Sequence, residues 1–217
     1  MSTVPVSMVS DLQQIRADLA SFHRETLAEF GVSPRGAGWN GERAQATRFE
    51  QLAKLIRHDG DFSLNDLGCG YGALLDYLRP RHGAFRYTGY DVSDAMIAAA
   101  RARHGGDASA RFVLSGDPAP ADYGIASGIF SLRVGRSDDE WMAYVESVLD
   151  VLDRSSRHGF AFNSLTRYSD VDRMRDDLFY ADPCVLFDLC KRRYSRNVAL
   201  LHDYELYDFT ILVRKSP

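Results

Sequence analysis

Leu64-Asn65-Asp66-Leu67-Gly68-Cys69-Gly70-Tyr71-Gly72-Ala73-Leu74-Leu75 carries three signals in one run: a short apolar strand ending in an acid, a turn of alternating glycines, and the start of an apolar helix. Glycines at 68, 70 and 72 admit positive φ and let a ligand approach the main chain with no Cβ in the way. The helix that follows aims its N-terminal N–H groups and positive dipole end at the same place, which favours a carboxylate or phosphate there. A ligand is therefore expected on this turn. The glycines alone leave its nature open, because Gly68, Gly70 and Ala73 also satisfy the G-x-G-x-x-G/A spacing of dinucleotide-binding turns.

The context separates these readings. Tyr87-Thr88-Gly89-Tyr90-Asp91-Val92-Ser93 is a second strand ending in an acid, and Arg111-Phe112-Val113-Leu114-Ser115-Gly116-Asp117 a third. This succession resembles the class I S-adenosylmethionine-dependent methyltransferases, whose first motif is similar to Asp66-Leu67-Gly68-Cys69-Gly70-Tyr71-Gly72. The resemblance runs from about residue 62 to the C-terminus. It implies an α/β, Rossmann-like fold: a seven-stranded, mostly parallel sheet with an antiparallel C-terminal hairpin strand, plus N-terminal helices. Residues 1–60 are then an N-terminal helical cover or lid, and residues 61–217 the S-adenosylmethionine-binding domain.

A chain of 217 residues holds one domain with a sizeable core. With 45% hydrophobic and 26% charged residues its composition is that of an ordinary globular protein. A net charge of −4, with acids and bases mixed along the chain, argues against a nucleic-acid partner, whose site leaves a basic footprint. No apolar run approaches the roughly 20 residues that span a bilayer, and Met1–Ser10 lacks the basic start and apolar core of a secretion signal. The expectation is a cytoplasmic protein with a small-molecule partner, no membrane and no metal. Of the three cysteines, Cys184 and Cys190 read as packing residues, since no second pair completes a metal-ligand spacing.

Leu12, Ile15, Leu19, Phe22 and Leu27 recur at helical spacing and predict an amphipathic helix over 11–30, ending near Gly31. After the glycine-rich connection 33–41, which contains Trp39, a second helix is expected over 42–57. Ser93 caps a helix to about Arg103, while Pro118 and Pro120 leave no room for a helix between the third and fourth strands. Ser137 and Glu140 form a capping box ahead of the stripe Trp141, Tyr144, Val145, Val148, Leu149 and Leu152. A fifth strand spans 159–163, a short helix is expected within 171–180, and Pro183 opens the last helix. Two strands at 197–202 and 207–214 close the chain as a hairpin.

In an open α/β sheet ligands bind outside the carboxyl ends of the strands, where Asp66, the glycine turn, Asp91, Asp117 and Ser127 fall. By the resemblance, Asp66 with Gly68, Cys69, Gly70, Tyr71 and Gly72 holds the amino-acid part of S-adenosylmethionine, and Asp91 accepts from the ribose hydroxyls. Val92 and Met96 pack on the adenine, and Gly116 and Asp117 meet its exocyclic amine. Ser127 lies at the junction of donor and acceptor; Trp39 and Arg48, with Gln45, reach the cofactor from the N-terminal part. Two plainer readings stand beside these: Asp91 as a helix-capping acid next to Ser93, and Arg48 on a solvated helix face.

The implied activity is methyl transfer to nitrogen or oxygen of a small molecule by direct displacement, with S-adenosylhomocysteine as product. Tyr180, Asp182 and His202 are the candidate catalytic residues, His202 by its intrinsic pKa. Aromatics with scattered acids in that region suit an amine or polar acceptor. Two alternatives share the motif: an S-adenosylmethionine-binding accessory protein without turnover, and an NAD(P)-dependent oxidoreductase supported by the Gly68-Gly70-Ala73 spacing.

Overall fold

Strands buried on both faces need helices on both sides, and the chain supplies them in alternation. The computed structural model describes residues 6–37, 41–57 and 60–216. Its strands are β1 (Phe62–Leu67), β2 (Phe85–Asp91), β3 (Ala110–Leu114), β4 (Ala121–Ala126), β5 (Ser156–Leu165), β6 (Asn197–Leu201) and β7 (Asp208–Arg214). They form one sheet in the order β3-β2-β1-β4-β5-β7-β6. β1 to β5 pair in parallel, whereas β7 runs antiparallel to both β5 and β6. The inserted hairpin strand is the feature expected from the tail.

The helices are α1 (Val6–Phe30), α2 (Glu42–Ala53), α3 (Ala73–Leu78), α4 (Asp94–His104), α5 (Asp138–Ser155) and α6 (Pro183–Arg193). Period-two alternation sorts the strand side chains between two cores. Phe160, Phe162, Ile211 and Val213 pack with α1, α5 and α6, while Ala161 and Leu212 pack with α2, α3 and α4. The stripe of α5 contributes most to the first core: Trp141, Val145, Leu149 and Leu152 are fully buried, each side chain of this size stabilising by about 1.5–3 kcal/mol. Both halves of the Ser137–Glu140 capping box form, which fixes where that helix begins.

Three expectations change. α2 ends at Ala53 rather than near Arg57, because Lys54, Leu55 and Ile56 donate to carbonyls three residues back and tighten the chain toward β1. β5 starts at Ser156, directly after α5. The helix expected within 171–180 reduces to a single 3-10 turn, Val171–Arg173. The rest of that segment is held by other partners: Phe179 N–H donates to the Ser131 carbonyl at 2.7 Å, and Leu178 bridges Leu132. Those tertiary bonds compete with helical ones, and the segment has no strong apolar stripe to oppose them.

Candidate active site

The end of β1, the glycine turn and the start of α3 build one wall of a cavity of about 620 Å³ along the carboxyl edge of the sheet. Gly68 takes φ +76°, and a Cβ there would lie 2.1 Å from Ile129 Cγ2, so only glycine fits. Its N–H and that of Cys69 both donate to the Tyr90 carbonyl, at 2.7 and 3.0 Å. Gly70 also has positive φ, but a Cβ on it would meet nothing within 4 Å. The Gly70 Cα therefore borders open cavity space, a surface that a ligand can approach closely.

Asp91, at the end of β2, ties this turn to the next helix. Its carboxylate accepts from Gly70 N–H at 2.9 Å on one oxygen and from Ser93 N–H at 2.8 Å on the other. Each oxygen keeps a further lone pair, and the residue lines the cavity. The capping role and an acceptor role thus coexist in one side chain. Burial raises the Asp91 pKa, opposed by the Ser93 N–H, the His23 ring and the Gly70 N–H. Asp66 is pushed up to about 7, chiefly by burial, with the Tyr87 hydroxyl that donates to it at 2.5 Å working the other way. Burial likewise holds the Cys69 thiol well above its usual range, so it is no nucleophile.

The other wall comes from the N-terminal helices. Arg16, Leu19, Phe22 and His23 of α1 line the cavity. His23 has its Nδ1 buried without a partner among the described residues; burial lowers its pKa, partly offset by Asp91. The missed signal was available: His23 stands four residues after Leu19, on the apolar stripe of α1. From α2, Gln45 accepts from the Tyr71 hydroxyl at 3.2 Å. Arg48 is buried and forms a bidentate pair with Asp208 at the start of β7, 2.9 and 2.6 Å, and Asn163 donates to the same carboxylate at 3.1 Å. Arg48 is thus no solvated-face residue. Since it also lines the cavity, it stands between structure and site.

Of the residues singled out from sequence, Asp66, Gly68, Cys69, Gly70, Tyr71, Asp91, Val92, Met96, Gly116, Ser127, Arg48 and Tyr180 converge on this cavity. Ser127 adds a buried Oγ without a partner among the described residues. Gly72 lies behind the wall at φ +85°, its carbonyl 3.1 Å from His104 Nε2. Asp117 turns outward and pairs with Arg16 and Arg154. Asp182 and His202 do not line the cavity. The Asp182 carboxylate caps α6, accepting from Cys184 and Val185 N–H, and pairs with Arg167 at 2.8 Å. His202 is exposed just past β6, its ring against Tyr168 and Phe209. Trp39 lies outside the described residues.

The donor set fits S-adenosylmethionine. Two buried carboxylates with open lone pairs suit an ammonium and ribose hydroxyls, the bare Gly70 face suits close approach, and Val92 with Met96 offers apolar contact for a ring.

Comparison with known proteins agrees. A family model for a methyltransferase domain matches residues 65–154, from β1 to the last turn of α5. Rv1506c of Mycobacterium tuberculosis (strain ATCC 25618 / H37Rv), which carries a methyltransferase name, is 58% identical over 164 residues, 75% of this chain and 99% of that protein. Among solved structures, magnesium protoporphyrin IX methyltransferase of Synechocystis PCC 6803 with bound S-adenosylmethionine superposes with a TM-score of 0.64 at 12% identity, covering 99% of this chain and 100% of that one. The N-methyltransferase NodS of Bradyrhizobium japonicum WM9 gives 0.59 at 15% identity, covering 81% and 98%. At such identities the likeness is one of fold, and the two names point to unlike acceptors.

Proposed function

The chain belongs to the class I S-adenosylmethionine-dependent methyltransferases, and from that premise we propose that it methylates a nitrogen or oxygen of a small-molecule acceptor in the cytoplasm. The observation that carries the site assignment is the joint placement of Asp66, the glycine turn, Asp91 and Ser127 along one carboxyl edge, all lining one cavity. Family membership sets the nicotinamide reading aside. When bound, S-adenosylmethionine supplies a methyl group on a sulfonium, open to direct displacement.

In this reading Asp66 and the N–H groups of the turn hold the amino-acid part. Asp91 fixes the ribose while bracing Gly70, and Val92 and Met96 flank the adenine. Ser127 and Ile129, at the end of β4, stand where the two halves of the cavity meet. Tyr180, whose hydroxyl accepts from the Arg175 N–H at 3.0 Å, orients the acceptor. α1 covers the cavity with Leu19 and Phe22 and keeps water from the reacting groups. It is tied down by buried Ile15 and Leu19, by the part-buried Arg136–Asp18 pair and by the exposed Arg24–Asp94 pair, the last worth only about 0–1 kcal/mol. α1 with α2 forms the cover over the site, α2 held in place by the buried Arg48–Asp208 pair and by Phe49 and Leu52 in the core. No helix among the described residues is long and apolar enough to cross a membrane.

Calorimetric titration of the full chain with S-adenosylhomocysteine, and separately with a nicotinamide dinucleotide, tests the cofactor half. Transfer of labelled methyl to a panel of amines, alcohols and acids tests the other half. Binding of the first compound and of no dinucleotide is expected; turnover with none of the panel, despite that binding, would favour an accessory protein.

A further inference from the structure

The rim of the cavity beyond the cofactor residues carries three arginines from separate turns of chain. Arg35 opens the 3-10 turn Arg35–Ala37, Arg173 closes the turn Val171–Arg173, and Arg175 follows two residues later. No acidic side chain from residues 165–180 lines the cavity beside them. The acids that do line it are Asp66 and Asp91, at the ends of β1 and β2, and Asp208, whose oxygens are occupied by Arg48 and Asn163. Arg16 and Arg48 also line the cavity, but Arg16 pairs with Asp117 and Arg48 with Asp208, which leaves Arg173 and Arg175 as the guanidinium groups on the segment that follows β5.

These arginines are only lightly engaged. Arg35 makes no ion pair among the described residues. Arg173 is 3.7 Å from its neighbour Asp172, both side chains well exposed. Arg175 gives Nε and Nη2 to Asp177 at 2.9 and 2.5 Å, and Nη1 takes no partner among the described residues. The long, exposed Arg173–Asp172 pair contributes about 0–1 kcal/mol, so an incoming oxyanion loses little by displacing it, whereas Arg175 keeps its bidentate Asp177 partner and offers Nη1. A planar guanidinium also matches the two oxygens of a carboxylate or phosphate.

We infer that Arg173 and Arg175 form a binding subsite for an anionic group, a carboxylate or phosphate-type oxyanion, carried by the methyl acceptor. This rests on the proposed function and names the substrate class within it. It also reverses the sequence expectation of scattered acids suited to an amine, since Asp182 faces away. Because the groups are exposed, their attraction weakens with salt and acts on encounter as well as on affinity.

The test is titration of the full chain, saturated with S-adenosylhomocysteine at low ionic strength, with inorganic phosphate, succinate and ethanolamine as probes. Phosphate or succinate binds and ethanolamine does not; the tighter of the two anions identifies the source. The paired substitution Arg173→Gln with Arg175→Gln weakens the anion by roughly 10-fold or more, as loss of charge-assisted hydrogen bonds does, while lysine at both positions restores part of it. Affinity for S-adenosylhomocysteine stays unchanged in both variants. Failure of any anion to bind, equal binding to the glutamine variant, or preference for ethanolamine would overturn the subsite. Failure of S-adenosylhomocysteine itself to bind would instead strike the cofactor assignment.

Discussion

The two ends of the cavity are built on opposite plans. Under β1 and β2 the groups are buried, hydrogen-bonded into the backbone and close in sequence, with Asp66, Gly70 and Asp91 joined through one turn. Toward β5 and β7 the polar groups come from segments far apart in sequence and mix buried Arg48, Ser169 and Asp208 with exposed Arg173, Arg175 and Tyr207. A rigid end fixes the ligand that every family member shares. An adaptable end can change its acceptor without disturbing the sheet.

The buried Arg48–Asp208 pair sits where the two plans meet, and breaking it should have the largest effect. Arg48→Ala leaves the Asp208 charge buried, and chemical unfolding should register a loss of about 3–5 kcal/mol. The double change Arg48→Met with Asp208→Leu should recover most of it, because an apolar replacement removes both desolvation costs. Next comes Asp91→Ala, which removes the proposed ribose acceptor and the brace on Gly70 together. Calorimetry should show S-adenosylhomocysteine binding weakened by roughly 100-fold, the upper range for hydrogen bonds to a charged group; unchanged affinity would mean the buried end is scaffold only.

Asp66 sharpens the comparison through pH. Its pKa is raised to about 7, against roughly 3.9 in an unfolded chain. Between about pH 4 and pH 7 the native state thus holds more protons than the unfolded one, and stability falls as pH rises through that window. Asp66→Asn should flatten this decline in thermal or urea unfolding. In the wild type, affinity for the cationic ammonium of the cofactor should climb toward pH 7 by at most about tenfold per pH unit, and the same substitution should abolish that slope.

The smallest effects belong to the residues that the structure moves out of the site. Asp182→Ala should cost about 1 kcal/mol, as loss of a helix cap does, and His202→Ala less. Neither should alter S-adenosylhomocysteine affinity, and a loss of methyl transfer in either would return the acceptor wall to the tail.

The buried end was legible in the sequence because its physics is local. Glycines needed for positive φ, acids at strand ends and a capping box all occur within a few residues of the groups they serve. The end toward β5 and β7 was not. Arg48 and Asp208 are 160 residues apart, and nothing near either one names the other. Residues 171–180 lacked a clear period, so bonds to Ser131 and Leu132 decided their shape. Tyr180 lines the cavity, whereas Asp182, two residues on, caps α6, and an N-cap acid and a catalytic acid look alike in a string of letters.

The reversed direction of β7 has a consequence for biosynthesis. β6 emerges from the ribosome before β7, its one partner in the sheet. A nascent chain that has reached residue 207 therefore presents the open edge of β5, with Phe160 and Phe162 uncovered by Ile211 and Val213, and an Arg48 still lacking its counter-charge. Such an edge is a template for misassociation. Quality control by chaperones would be concentrated on this interval of synthesis, and substitutions within 208–214 should reduce soluble yield out of proportion to their effect on the finished enzyme.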